Sequence, residues 1–247
     1  MKTAKSTIRL LTEFSVAAPE LGVSELARRL DLDKATVHRL LRTLAEGGMV
    51  EQDATTKRYR LGLAVLGLAA VRLRAFGFLE LATEDMTQLR DDLGESVALH
   101  VREGYDVVCV QFVEASHPLT VRFVLGERSP IHLTAPGLLH LSEMPDLQWA
   151  ALVEAAVRAN PNLPGETPES LAERIDLARQ DLTAVSDQTF QKGVRGMATS
   201  IRDMNGAFVG TLSVVAPTSR LSLAELRRRR PDLMTCAQRI GSKLRRM

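Results

Sequence analysis

The sequence predicts an α+β chain: a small helical head closed by a hairpin, a connecting helix, and a larger body built on an antiparallel sheet. Three observations predict it. Residues 8–46 carry apolar residues at helical spacing and lead into two short strand-like runs around a polar loop. Strand-like runs in the second half meet at tight turn signals, Glu103-Gly104-Tyr105 and Asp203-Met204-Asn205-Gly206, which make hairpins and hence antiparallel pairing. Charge also changes sign along the chain. Residues 1–75 hold 13 Lys and Arg against 8 Asp and Glu, residues 76–219 hold 10 against 20, and residues 220–247 hold 9 against 2. A basic head, an acidic body and a basic tail argue for segments with different partners, a division that the overall net charge of +2 conceals.

In the head, Ile8, Leu10, Leu11 and Phe14 give a first amphipathic helix, broken by Pro19 and Gly22. Ser24 is a candidate N-cap for a second helix over Glu25–Leu30, with Leu26, Ala27 and Leu30 inward. Asp31-Leu32-Asp33 is a tight turn, and Asp33 can cap a third helix from Lys34 to Glu46 that stops at Gly47-Gly48. Val37, Leu40, Leu41 and Leu44 form its inner face. Lys34, Thr36, His38, Arg39, Arg42 and Thr43 form the other. Two short helices joined by a three-residue turn make a helix-turn-helix. The runs 49–52 and 58–61 around Asp53–Lys57 make a β-wing tipped by Lys57 and Arg58. Domain limits follow at 1–62 for the head, 63–82 for a linker helix (Leu63, Leu66, Ala70, Leu73 and Phe76 at helical spacing) and 83–247 for the body.

The body reads as a helix over Met86–Leu93, strands at 95–102, 106–113, 119–125 and 129–133, and helices from Gly137, at 147–158 and at 170–181. A Pro-containing loop at 160–168 separates the last two helices. Strands at 196–202 and 207–215 close the sheet, and a helical stretch over 223–247 is interrupted at Pro231. The Arg227–Arg230 run there is expected to be a solvated helix end.

Several classes are excluded. With 247 residues, 45% apolar and 25% charged, the chain is neither one small module nor disordered. Two cysteines make no disulfide framework, which points to a reducing compartment and a cytoplasmic protein. The N-terminus has no long apolar core, so no signal peptide is expected. No run of about 18 apolar residues is present, so no membrane span is expected. No Walker loop, Rossmann fingerprint or nucleophile elbow appears, so neither a cofactor nor catalysis is expected. Cys109 and Cys236 form no CxxC pair, and His132 and His140 lack the spacing of a helical zinc pair. His100 and His132, both on predicted strands, are the one pair the fold could bring together as metal ligands, and no metal site is expected.

The physical case for DNA binding is a combination of features. A helix about 10–12 Å wide fits the major groove, where its polar face meets base edges, and wing cations reach phosphates or the minor groove. The alternative reading is a small-molecule-binding α/β protein whose helical head is a protein-interaction module.

Over nearly its full length the chain resembles the IclR family of bacterial transcriptional regulators. The head carries LGVSELARRLDLDKATVHRLLRTLAEGGMVEQDATTKRYRLG, and the body carries PIHLTAPG, KGVRGMATSIRD and GAFVGTLSVVAPTSRL. The resemblance implies a winged helix-turn-helix and a GAF-like α/β effector domain with an antiparallel sheet. It implies a homodimer, or dimer of dimers, on double-stranded operator DNA, and a small-molecule effector, often an organic acid or aromatic compound. Carried over by position, Lys34, Thr36, His38, Arg39 and Arg42 match the DNA-facing segment. Thr134, Ala135, Pro136 and Gly137 match a pocket-lining loop that opens a helix, whose free N–H groups suit a carboxylate. Asp187, Val194, Gly196, Met197, Ala198 and Ser213 fall in or near the other pocket segments. The chain departs from the family pattern at Leu138, at Thr199-Ser200 and at Val215, which implies a pocket that is more apolar, or less suited to a small acid, or one that has lost its ligand.

Overall fold

Leu10, Leu26, Leu30, Val37, Leu41 and Val50 meet in one buried cluster, and it is this cluster that gathers the head's short helices into a unit. The computed structural model describes residues 2–74, 76–77, 79–159 and 167–244. The chain divides into two units, Met1–Phe76 and Gly77–Met247. The first unit contains α1 (Lys2–Thr12), α2 (Val23–Leu30), α3 (Lys34–Glu46), β1 (Val50–Gln52), β2 (Tyr59–Leu61) and α4 (Ala64–Arg74). Ile8, expected inside, is 65% exposed, while Leu10 two positions on is fully buried. Helix α2 starts one residue before Ser24, with Gly22 as its N-cap and no side-chain cap.

The turn before α3 forms as the sequence suggests. Asp31 takes a left-handed conformation, and the Asp33 carboxylate accepts the Thr36 N–H at 2.7 Å. The hairpin β1–β2 is antiparallel, with Glu51 opposite Arg60. Tyr59 also exchanges both backbone hydrogen bonds with Leu21, which ties the wing to the segment before α2. Gly62 explains the Tyr-Arg-Leu-Gly ending of the wing. Its N–H donates to the Met49 carbonyl at 2.8 Å, and a Cβ there would meet the Gly48 carbonyl oxygen.

The single helix expected over 63–82 is two helices, α4 and α5 (Leu79–Leu93), with Gly77 between them at a φ of 49°. Helix α4 buries none of its residues within the chain. Leu66, Leu68 and Val71 are all at least 60% exposed.

The second unit continues from α5 with β3 (Ser96–Glu103), β4 (Asp106–Val113), β5 (Arg128–Pro130), α6 (Ala135–Ser142), α7 (Asp146–Ala159), α8 (Pro168–Asp181), β6 (Thr183–Asp187), β7 (Val194–Arg202), β8 (Phe208–Pro217), α9 (Leu223–Arg228) and α10 (Arg230–Ser242). One six-stranded sheet has the order β5-β4-β3-β8-β7-β6, antiparallel throughout. Helices α6, α7 and α8 close over one core against it, with Leu139, Ile175 and Ala198 buried. Helices α5 and α10 pack together and against β3, β4, β7 and β8.

The strand expected at 119–125 is absent. Its backbone groups go to side chains instead of a ladder. Ser96 Oγ donates to the Val121 carbonyl at 3.0 Å, Arg220 donates to the Leu119 carbonyl at 2.6 Å, and Glu127 accepts the Val124 N–H at 3.2 Å. Strand β6, the run Thr-Ala-Val-Ser-Asp, carries only small and polar residues around one valine and so gives no strand signal in sequence. The short strand expected at 129–133 is β5 at Arg128–Pro130, followed by a turn. Pro231 lies in the first turn of α10, so the helical break falls at Arg229, where the ring's missing N–H costs nothing. Most of the predicted 160–168 loop lies outside the described residues.

The basic tail folds onto the acidic body. Arg220 clasps the buried Glu95 carboxylate, Arg230 donates to the Asp181 carbonyl at 2.6 Å, and Lys243 pairs with Asp85 at 2.6 Å. Part of the charge asymmetry seen in sequence is thus neutralised within one unit.

Candidate nucleic-acid interface and ligand pocket

Helix α3 separates its faces cleanly. Val37, Leu40, Leu41 and Leu44 are buried, while Lys34, His38, Arg39, Arg42 and Thr43 are exposed and Thr36 is half-buried. The helix is oriented by its cap. The Thr36 amide hydrogen bond holds the Asp33 carboxyl below the usual carboxylate range, so the cap is charged at neutral pH. Arg42 makes an i,i+4 pair with Glu46 at 3.1 Å, with both side chains well exposed. Such a pair contributes about 0.5 kcal/mol or less and gives way readily to a phosphate. Thr43 Oγ1 donates to the Arg39 carbonyl at 3.2 Å, so its hydroxyl is already in use within the helix.

The two wing cations are placed differently. Lys57 is exposed at the tip, in a left-handed conformation set by a turn that Asp53 organises through the Thr55 and Thr56 amides. Arg58 turns inward: its Nη2 donates to the Glu20 carbonyl at 2.7 Å and pairs with Glu25 at 3.0 Å. Glu25 also takes Arg29 at 2.8 Å. Desolvation raises the Glu25 pKa, but the two arginines outweigh it and the net shift is downward. Arg58 is therefore a brace between wing and α2, and Lys57 is the cation the wing presents.

The second unit holds a cavity of about 110 Å³ between the sheet, the start of α6 and the segments at 121–129 and 188–191. Its size is comparable to the ~150 Å³ apolar cavity that takes a benzene ring. Thr134, Ala135, Pro136, Val194, Gly196, Met197 and Ser213 line it, seven of the ten positions expected. The other three are elsewhere. Gly137 faces the turn before α6, where a Cβ would stand 1.9 Å from the Ile131 carbonyl oxygen. Asp187 pairs with Arg195 at 3.1 Å. Ala198 is fully buried in the core under α6–α8.

The helix N-terminus is a weaker anion site than expected. Of the three first-turn amides of α6, Pro136 has none and that of Gly137 is taken by Thr134 Oγ1 at 3.2 Å, leaving Ala135.

The pocket also contains residues that the motifs did not indicate: His100, Arg122, Phe123 and Phe190. Arg122 is the lone cation in the apolar run Leu119–Leu125, the one feature of the sequence that marks it. His100 Nδ1 lies 3.5 Å from Ser213 Oγ, and its ring stands edge-on to Phe123. Burial, with His140 nearby, pushes the His100 pKa down to about 3, so the ring is a neutral imidazole. Burial pushes the Cys109 thiol up to about 12, so it lines the pocket as an unreactive thiol. Among the described residues no group of three or more His, Cys, Asp or Glu is placed to hold a metal ion, and no helix is long and apolar enough to cross a membrane.

Comparison with known proteins agrees with both halves. Residues 5–54 match the IclR helix-turn-helix domain, and residues 72–242 match the family described as bacterial transcriptional regulator IclR C-terminal. The chain is 28% identical to SauR of Cupriavidus necator over 95% of this chain and 93% of that protein. It is 26% identical to the transcriptional regulator XynR of Escherichia coli over 94% and 93%. A solved structure from Rhodococcus sp. RHA1 superposes with a TM-score of 0.79 at 28% identity, covering 98% of this chain and 97% of that one. An IclR homologue from Microbacterium hydrocarbonoxydans, solved with 4-hydroxybenzoate, shares the fold at a TM-score of 0.77 and 22% identity, covering 97% of each chain. These relatives are regulators, not enzymes. The chain belongs to the IclR family of bacterial transcriptional regulators, with a helix-turn-helix DNA-binding domain and a C-terminal effector domain.

Proposed function

We propose that this regulator binds a pseudo-palindromic operator as a homodimer, or a dimer of dimers, in the cytoplasm, and senses a small organic acid or aromatic metabolite. The observation that carries the DNA half is the split of α3 into a fully buried apolar face and an exposed face bearing Lys34, His38, Arg39 and Arg42. In this reading Arg39 and Arg42 contact guanine edges or phosphates, Lys34, Thr36, His38 and Thr43 support them, and Lys57 adds a phosphate contact from the wing. A symmetric dimer fits half-sites about one helical turn apart, or a multiple of it.

The dimer is supported by α4. An apolar helix with no fully buried residue leaves an unsatisfied surface, and a second copy of the same helix covers it. The effector half is supported by the mostly apolar pocket and by the ligand bound in the Microbacterium relative. A ligand acts here by favouring one spacing of the two DNA-binding heads over another, which requires different affinities for the two states.

The test is fluorescence polarisation with the protein's own upstream DNA across a salt series. Affinity that falls steeply with salt is expected. No binding at low salt would overturn the reading in favour of a head that binds protein.

A further inference from the structure

The charged residues that line the pocket come from the segment between β4 and β5. Arg122 and Glu127 are its two charged lining residues. Glu127 belongs to its own turn: its carboxylate accepts the Val124 N–H and its N–H donates to the Val124 carbonyl at 3.0 Å. Arg122 is different. Among the described residues it has no hydrogen-bond or ion-pair partner, so all five guanidinium donors are available.

The segment that carries Arg122 is held from both ends. On one side the fully buried Ser96 accepts the Ala115 N–H at 3.1 Å and donates to the Val121 carbonyl at 3.0 Å, beside the Arg220 bond to Leu119. On the other, Gly126 and Glu127 exchange backbone hydrogen bonds with Cys109 of β4, at 2.8 and 3.0 Å. The walls below are Phe123, Phe190, Met197 and Val215, with the neutral His100 and Ser213 at the sheet. A largely apolar pocket edged by one exposed, unpaired, planar, bidentate cation matches a flat ring with a carboxylate.

We propose that Arg122 reads the charge of the effector: the pocket takes a small aromatic acid with its ring among Phe123, Phe190 and Met197 and its carboxylate on the Arg122 guanidinium, and Ser96 is the positioning residue that presents Arg122. This rests on the reading of the cavity as the effector site. It moves the acid-binding role from the start of α6 to a side chain outside the family motifs.

The test uses the full chain and three small aromatic probes of similar size and different charge, benzoate, benzamide and benzylamine, titrated by calorimetry or ligand-observed NMR. Wild type is expected to bind benzoate at least tenfold more tightly than benzamide. R122Q is expected to keep benzamide binding and the wild-type melting temperature, since Arg122 supports no other group, while losing the preference for benzoate. S96A is expected to fall between them. A benzoate preference that survives in R122Q overturns the proposal, as does a preference for benzylamine, which would make Glu127 the reader. Equal binding of benzoate and benzamide by wild type overturns the role of Arg122 and leaves the pocket as the effector site. Failure of all three probes to bind at millimolar concentration overturns both.

Discussion

Gly62 stands so close to Gly48 that a Cβ on Gly62 would lie 2.2 Å from the Gly48 carbonyl oxygen. The end of the wing is thereby locked to the end of α3, with the Ala64 N–H donating to that same carbonyl at 3.2 Å. The atom in the way is backbone and cannot rotate aside. Gly62→Ala is expected to destabilise the head by about 1–3 kcal/mol, seen as a lower midpoint in thermal or denaturant unfolding, with weaker DNA binding. A wild-type midpoint would mean the strand and helix separate without cost.

Arg39→Ala and Arg42→Ala are each expected to weaken operator binding by about 1–3 kcal/mol if the arginine reads a base, with melting temperature unchanged because neither braces the fold. Wild-type affinity in both variants would remove α3 as the reader.

The two wing cations are expected to part company on mutation. Lys57→Ala should lower the salt slope of DNA binding by about one unit and leave stability unaltered. Arg58→Ala should lower stability modestly, through loss of the half-exposed Glu25 pair and the Glu20 carbonyl bond, and affect DNA chiefly through the wing's position. A reduced salt slope in Arg58→Ala at unchanged stability would contradict the brace.

Glu95 is 3% exposed and depends on Arg220 for its charge balance. Removing one partner leaves an uncompensated buried carboxylate, so Arg220→Ala is expected to cost about 3 kcal/mol. A double change of Glu95→Gln with Arg220→Ala should cost less than the single one. A double-mutant cost equal to the sum of the two single costs would show that the pair is not coupled.

Acid is expected to destabilise the second unit through two buried imidazoles. Burial pushes His100 down to about 3 and His140, also near Arg102, down to about 4. The folded state keeps both neutral, whereas the unfolded chain protonates them near pH 6.5. Their stabilising effect is complete above pH 6.5 and is lost as pH falls from there towards 4 and 3. Each contributes a slope approaching about 1.4 kcal/mol per pH unit. His140→Gln should roughly halve the loss of stability between pH 6.5 and 5. An unchanged slope in that variant would place the proton uptake elsewhere.

Local rules made much of the fold legible. Asp33 as a cap, Gly47-Gly48 as a stop and the period of Val37, Leu40, Leu41 and Leu44 fix α3 before any packing is considered, because a cap and a repeating apolar face act over a few residues. The hairpins β3–β4 and β7–β8 follow for the same reason. Tertiary structure decided what those rules do not reach. It turned 119–125 from a strand into a pocket wall, because Ser96 and Arg220, distant in sequence, capture its carbonyls. It directed Arg58 inward to Glu25, 33 residues away, and left Lys57 outside. It aimed Asp187, Gly137 and Ala198 away from the cavity and brought His100 and Arg122 to it. By itself, the sequence determined two functional halves and the split of α3 into a buried apolar face and an exposed polar one. The pocket's chemistry was decided by which side chains long-range contacts leave unpaired, and periodicity carries no record of that.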